Sequence, residues 1–233
     1  TLMELRALPR QESLVVDTPS GPMPVRVGLD AAGVSWAAIT SVPSFAMELD
    51  QPLEVPGLGR ITVDTVCVGG CFVMVDAEKN HIDMGPEKRQ SLVPIGMDII
   101  DAANEQLSVA HPLRPEVCTI DVVKIHASLE PKDGVPAGTS LVVYGESHLD
   151  RSPCGTGTTA QMALKYARGR AKAGDSYLSF GPLGTSFEAR IVEETTVGDI
   201  PAVRVEVRGS ACITAMNRFV LDPKDPFPEG FLL

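Results

Sequence analysis

Short runs of Val, Ile and Thr, each cut off by glycine or proline, set the limits on what this chain can become. Such runs predict strands at Ser13 to Asp17, Met23 to Leu29, Val34 to Val42, Arg60 to Cys67 and Cys71 to Val75 in the first part of the chain. Further strands are predicted at Val117 to His126, Thr139 to Gly145, Ser176 to Phe180, Ser186 to Glu193 and Ala202 to Arg208. Thr18-Pro19-Ser20-Gly21-Pro22 reads as a hairpin turn, Gly69-Gly70 as a place of close backbone approach, and Glu130 to Gly138 as a loop. Only two stretches read as helices. Pro86 to Leu107 places Leu92, Ile95, Ile99, Ile100 and Ala103 at helical spacing, with Pro94 set to kink or divide it. Thr158 to Arg170 is apolar or small around most of its circumference, which predicts a buried helix. With 21 Gly, 19 Pro and few aromatics among 233 residues, the expectation is a β-rich α/β (α+β) protein with an aliphatic core. Trp36 is expected in that core, His81 and Asp83 in a solvated loop, Pro43-Ser44-Phe45 at a crossing between lobes, and Phe227 and Phe231 as anchors of an irregular tail.

Between the last of the central strands and the second helix lies Asp150-Arg-Ser-Pro-Cys-Gly-Thr-Gly-Thr-Thr-Ala160. Pro153 fixes its own φ and pushes Ser152 toward an extended conformation, while Gly155 and Gly157 permit tight geometry. Cys154 is therefore expected at a helix entrance. There, unpaired N–H groups and the positive end of the helix dipole favour a thiolate and a neighbouring carboxylate. The plain alternative is a buried cysteine in a Gly-rich turn, but two glycines, capping threonines and an acid together exceed what a turn needs. An activated thiol of this kind could serve as nucleophile, redox centre or base.

The formal net charge is −10 and no Lys/Arg cluster exists, so neither nucleic acid nor an anionic membrane is expected as partner; a small molecule is. No apolar run approaches the roughly 18 residues of a membrane span, and Thr1-Leu2-Met3-Glu4 does not open a signal peptide, so a soluble, cytoplasmic protein is expected. The five cysteines, 67, 71, 118, 154 and 212, are odd in number and irregularly spaced, which fits reduced thiols. Cys67 and Cys71 lie within strands, and no second Cys or His pair has zinc-like spacing, so no metal is expected.

The motifs Asp17-Thr-Pro-Ser-Gly21, Val42-Pro-Ser-Phe45, Gly69-Gly-Cys-Phe72, Asp150 to Thr158 and Asp225-Pro-Phe227 together resemble the larger, C-terminal part of the proline racemase family. That family includes proline racemases, 4-hydroxyproline 2-epimerases and trans-3-hydroxyproline dehydratases. The resemblance implies two pseudo-symmetric, diaminopimelate-epimerase-like lobes, each a curved, mostly antiparallel sheet around a central helix. Residues 1–44 and 206–233 would belong to the N-terminal lobe and 45–205 to the C-terminal one. It also implies a cofactor-independent two-base reaction, in which one cysteine removes the α-proton of a cyclic amino acid and a second returns a proton from the opposite face. On this resemblance Cys154 is the C-terminal base and acid, and the N–H groups around Gly155, Thr156 and Gly157 hold the substrate carboxylate. Asp150 receives the substrate ammonium, with a turn or capping carboxylate as its alternative role, and Tyr144 is an aromatic wall or ordinary core at a strand end. His148, a loop histidine, is not required.

Two departures from the family matter. No Met-Cys-Gly-His motif, which carries the first cysteine of the family, occurs, and the chain starts without Met in mid-lobe. Either the chain is a fragment or a second chain supplies the missing half; a homodimer is one option. Cys71 stands where the family more often has Asn. The leading expectation is an isomerase inverting the α-carbon of proline or hydroxyproline. If Ser or Thr replaces the first cysteine, trans-3-hydroxy-L-proline dehydration follows, and a non-catalytic proline-binding protein is the third reading.

Overall fold

Residues 2–31 and 33–230 are described by the computed structural model of the chain. Hydrogen bonding joins the β-branched runs into one mixed 12-stranded sheet, in the order β1-β2-β3-β12-β11-β10-β8-β7-β6-β5-β4, with β9 added beside β8. The elements are β1 (Ser13–Thr18), β2 (Gly21–Leu29), β3 (Val34–Thr40), β4 (Phe45–Val55), β5 (Gly59–Val68), β6 (Gly70–Asp76), α1 (Leu92–Gln106), β7 (Ile120–Lys132) and β8 (Val135–Tyr144), followed by β9 (His148–Leu149), α2 (Gly155–Ala167), β10 (Ser176–Phe180), β11 (Ser186–Val197) and β12 (Ile200–Gly209). This is an α+β fold, as expected.

Two parallel junctions organise it. β6 pairs in parallel with β7, and β8 in parallel with β10, while the remaining pairs are antiparallel. A parallel pair needs a crossover rather than a hairpin, and the two helices supply them. α1 connects β6 to β7 and α2 connects β8 to β10, one on each side of the central β7–β8 hairpin. The side-chain period of two then sorts the core. Cys71, Val73 and Val75 of β6 and Val123 and Ile125 of β7 join the cluster around α1; Phe72 and Met74 join the one around α2. A smaller cluster, Met3, Val25 and Val27, belongs to the β1–β3 end.

Several expectations need correction. The stretch 130–138 is not a loop, because β7 and β8 run on to a two-residue turn at Asp133-Gly134 with φ of 52° and 78°. An Asp-Gly pair takes that left-handed turn readily, and its twist matches the strands. β4 has no strand-like run in the sequence: charges interrupt it, and register shifts between Ala46, Glu48 and Gln51, with φ 55° at Asp50, break the alternation. The first helix begins only at Leu92 after a 3₁₀ turn, Pro86–Lys88, which puts Pro94 in the first turn, where its missing N–H costs no hydrogen bond. α2 begins at Gly155, directly after Cys154. Trp36 is only half-buried, with the Arg208 guanidinium 4.3 Å from its ring. Phe227 is 57% exposed, and Phe231 lies outside the described residues. Among the described residues no helix is long and apolar enough to cross a membrane.

Candidate active site

The loop from β9 to α2 is built by a relay of side chain to backbone hydrogen bonds. The Asp150 N–H donates to the Val142 carbonyl at 2.9 Å, and Asp150 Oδ1 accepts the Ser152 N–H at 2.8 Å. Ser152 Oγ in turn accepts the Cys154 N–H at 3.0 Å. Thr158 Oγ1 donates to the Pro153 carbonyl at 3.2 Å, closing the turn from the helix side. Gly181, after β10, lies against this loop so tightly that a Cβ would come within 2.7 Å of the Ser152 carbonyl carbon. The relay holds Cys154 at φ 61°, a left-handed conformation that a residue with a side chain rarely adopts. Such a conformation costs about 1–3 kcal/mol and persists only where the surroundings over-determine it.

At this position Cys154 caps α2, and its Sγ accepts the Gly157 N–H at 3.2 Å, with Thr156 Oγ1 3.5 Å away. Gly157 is closely enclosed: a Cβ would stand 3.2 Å from both Cβ and Sγ of Cys154 and 3.3 Å from Val142 Cγ2, so those neighbours would have to shift. Gly155 faces open space, and the N–H groups of Gly155 and Thr156 have no protein partner among the described residues. Both residues, with Ser152 and Thr159, line one wall of a cleft of about 470 Å³ whose other wall is apolar, from Trp36, Ile39 and Val207 on β3 and β12. A thiol next to two free N–H groups that line a cleft with an apolar wall is suited to proton transfer at a carbon next to a carboxylate.

Beneath this turn is a residue that the motif does not announce. Lys124, on the α2-facing side of β7, is 1% exposed, and its Nζ donates to the Gly157 carbonyl at 2.8 Å. Gly157 is thus held at both ends, its N–H by the sulfur and its carbonyl by the ammonium. Burial pulls the Lys124 pKa down to about 8, against the pull of Cys154 in the other direction. Among the described residues no carboxylate lies within ion-pairing distance of it. The only sequence signal is a charge at a core-facing position of an apolar run, Val122-Val-Lys-Ile125.

The other expected residues are placed less centrally. Gly155 and Thr156 line the cleft; Cys154, Asp150, Gly157 and Tyr144 are not among its lining residues. Asp150 acts within the loop as the turn carboxylate. Tyr144 is 42% exposed and stacks on His148, ring centroids 5.7 Å apart, at the end of β8. Cys71 is buried on the α1 side of the sheet, directly opposite Cys67 in the β5–β6 hairpin. Among the described residues no group of His, Cys, Asp and Glu converges as a metal centre would.

A two-crossover α+β sheet with a cysteine capping the second crossover helix defines a class of fold and site, and the comparisons say which one. The sequence model of the family described as Proline racemase matches residues 3–232. The chain belongs to the proline racemase family. It is 36% identical over 217 residues to a proline racemase of Acetoanaerobium sticklandii, covering 93% of this chain and 64% of that protein. It is likewise 36% identical over 218 residues to a 4-hydroxyproline 2-epimerase of Streptosporangium roseum, covering 94% of this chain and 65% of that protein. A hydroxyproline epimerase of Agrobacterium vitis, solved with bound trans-4-hydroxy-L-proline, superimposes with a TM-score of 0.87 at 29% identity, covering 100% of this chain and 67% of the other. The chain thus spans just under two thirds of the length of these curated relatives.

Proposed function

We propose that this chain carries one half of the active site of a cofactor-independent amino-acid racemase or epimerase, an isomerase acting at the α-carbon of proline or a hydroxyproline. The observation that carries the reading is the Cys154 turn: a sulfur at the mouth of α2, beside the unpartnered N–H groups of Gly155 and Thr156, at a cleft with an apolar wall. In this reading the substrate carboxylate docks on those N–H groups, where negative charge develops as the α-proton leaves. The Cys154 thiolate takes that proton, and a second acid on the opposite face returns one, which inverts the carbon. Run in reverse, Cys154 is the donor.

Asp150 uses one carboxylate oxygen within its loop, which leaves the other for the substrate ammonium. The second acid belongs to the part of the relatives that this chain does not span, supplied by a preceding segment or a second chain. The assignment of 1–44 and 206–233 to one lobe and 45–205 to another is supported by the separate cluster under β1–β3 and by the pairing of β12 with β3 from Glu206 to Gly209.

The test is α-deuterium incorporation in deuterated water, with this chain joined to its complementary segment and supplied with L-proline and trans-4-hydroxy-L-proline in turn. Exchange that is abolished by Cys154→Ala is expected; no exchange from either substrate removes the reading. A ring-imine product from 3-hydroxyproline, trapped by reduction, would assign dehydration instead, and thermal stabilisation by proline without exchange would assign binding alone.

A further inference from the structure

At its far end, α2 presents a different chemistry. The helix is apolar or small around most of its surface, yet Gln161, Lys165 and Arg168 follow one another at i, i+4 and i+7 and so form one polar stripe. The facing strands match it. Lys124, nearest Cys154, is succeeded along β7 by His126 and Ser128, and His126 lies in register with Asp76 on β6 and Ser140 on β8. Stripe and strands enclose a polar cavity of about 290 Å³, separate from the cleft beside Cys154.

The charges around this cavity do not balance within the protein. Two of its carboxylates are ion-paired, Asp50 by Lys79 at 2.6 Å and Arg168 at 3.0 Å and Asp64 by Arg168 at 2.7 Å, while Asp76 accepts the N–H groups of Glu78 and Lys79; the four lining cations, Lys79, Lys165, Arg168 and Arg170, outnumber the three carboxylates by one. Lys165 and Arg170, which also line it, have no carboxylate partner among the described residues; Lys165 has only the Tyr177 ring, 4.9 Å from its Nζ. Two neutral groups are equally unmet. His126 Nε2 and Gln161 Oε1 are buried without a hydrogen-bond partner, and Gln161 is 6% exposed. Buried polar atoms are rarely left so, because each unmet one forfeits its hydrogen bond to water. The oxygen and nitrogen of the Gln161 amide exchange places by a flip, after which it offers an N–H. Burial keeps His126 neutral, with its pKa lowered to about 4, and the neutral ring can carry its proton on Nε2.

We propose that this cavity is a second ligand site, taking a small oxyanion, a phosphate or a carboxylate group, held by Lys165 and Arg170 with N–H donors from Gln161 and His126. One ligand would meet Lys165, Arg170, His126 and Gln161 at once, which water would do only for the neutral pair. The site stands independently of the racemase reading, since none of its groups takes part in proton transfer at Cys154.

Calorimetric titration of the protein with inorganic phosphate at neutral pH and constant ionic strength tests it, with acetate in a parallel titration to tell a phosphate from a carboxylate head group. Saturable phosphate binding is expected, weakened about tenfold or more by Lys165→Gln and by Arg170→Gln and unchanged by Cys154→Ser. Gln161→Met, which preserves the packing, is expected to weaken binding and to raise the thermal midpoint by removing the unmet amide. The proposal is overturned by absence of saturable binding of either anion, by binding that survives in the Lys165/Arg170 double variant, or by binding lost with Cys154→Ser.

Discussion

At the scale of single residues, the chemistry depends on a backbone that only its neighbours can hold. Cys154 keeps φ at 61° because the Asp150–Ser152 relay, the Thr158 hydroxyl and the close approach of Gly181 leave the loop no alternative. Gly157 is the partner in direct contact with the sulfur. Its substitution by Ala would press a methyl against Cys154 Sγ and Val142, so Gly157→Ala is expected to reduce exchange by about a hundredfold, the scale of an ångström's misplacement, while the chain still folds. Steady-state rates and circular dichroism of the variant check both halves of that statement. Alkylation offers a second check. Cys67 and Cys71 are buried and should resist iodoacetamide in the folded protein, whereas Cys154, its sulfur already accepting an N–H, should react ahead of the exposed Cys118 and Cys212. Equal labelling of Cys154, Cys118 and Cys212, read by mass spectrometry, would count against its role as a base.

At the scale of elements, β7 is the informative strand. Its alternation puts Val123 and Ile125 under α1 and Lys124 under the first turn of α2, so an ammonium is buried where the period calls for a hydrocarbon. The lysine pKa, about 8 in the fold and 10.5 when free, gives the sign of the pH effect. Between these values the unfolded chain binds the proton that the native chain has lost, so stability rises with pH across that window and is forfeited below it. The size is on the order of 3 kcal/mol. Lys124→Met should therefore be more stable than the parent at neutral pH and should lack the alkaline rise, as urea unfolding at about pH 7.5 and about pH 10 would show. Strands and helices of the strong periodic runs could be read directly from the sequence, including the β1–β2 hairpin and the buried second helix. β4 could not, because its bulges at Ala46–Gln51 hide the alternation that betrays a strand. The β7–β8 turn was hidden differently, its Asp-Gly signal submerged in a longer run of turn-forming residues.

At the scale of the whole molecule, α2 ties the sheet together at both ends. Near its C-terminus Arg168 bridges Asp50 on β4 and Asp64 on β5, and the paired cations hold the Asp50 carboxyl well below the usual carboxylate range. Asp64 is the more enclosed of the two, with its side chain 11% exposed, so losing Arg168 leaves a partly buried carboxylate unmatched. Arg168→Ala is expected to cost about 1–3 kcal/mol, measured by denaturant unfolding, and raised salt should recover little of it. A cost below about 0.5 kcal/mol would mean that the network is a solvated surface cluster.

Composition, strand runs and the Asp150–Ala160 motif by themselves determined the α+β class, the family and the residues of the Cys154 turn, because each is a local property: backbone permissiveness, side-chain period and helix capping act over a few neighbouring residues. Tertiary structure alone decided that Lys124 lies beneath that turn, that Trp36 lines the cleft instead of filling the core, and that α2 carries a polar cavity at the end away from Cys154. Those placements depend on sheet register, which brings together residues far apart in the chain through hydrogen bonds that no local pattern encodes.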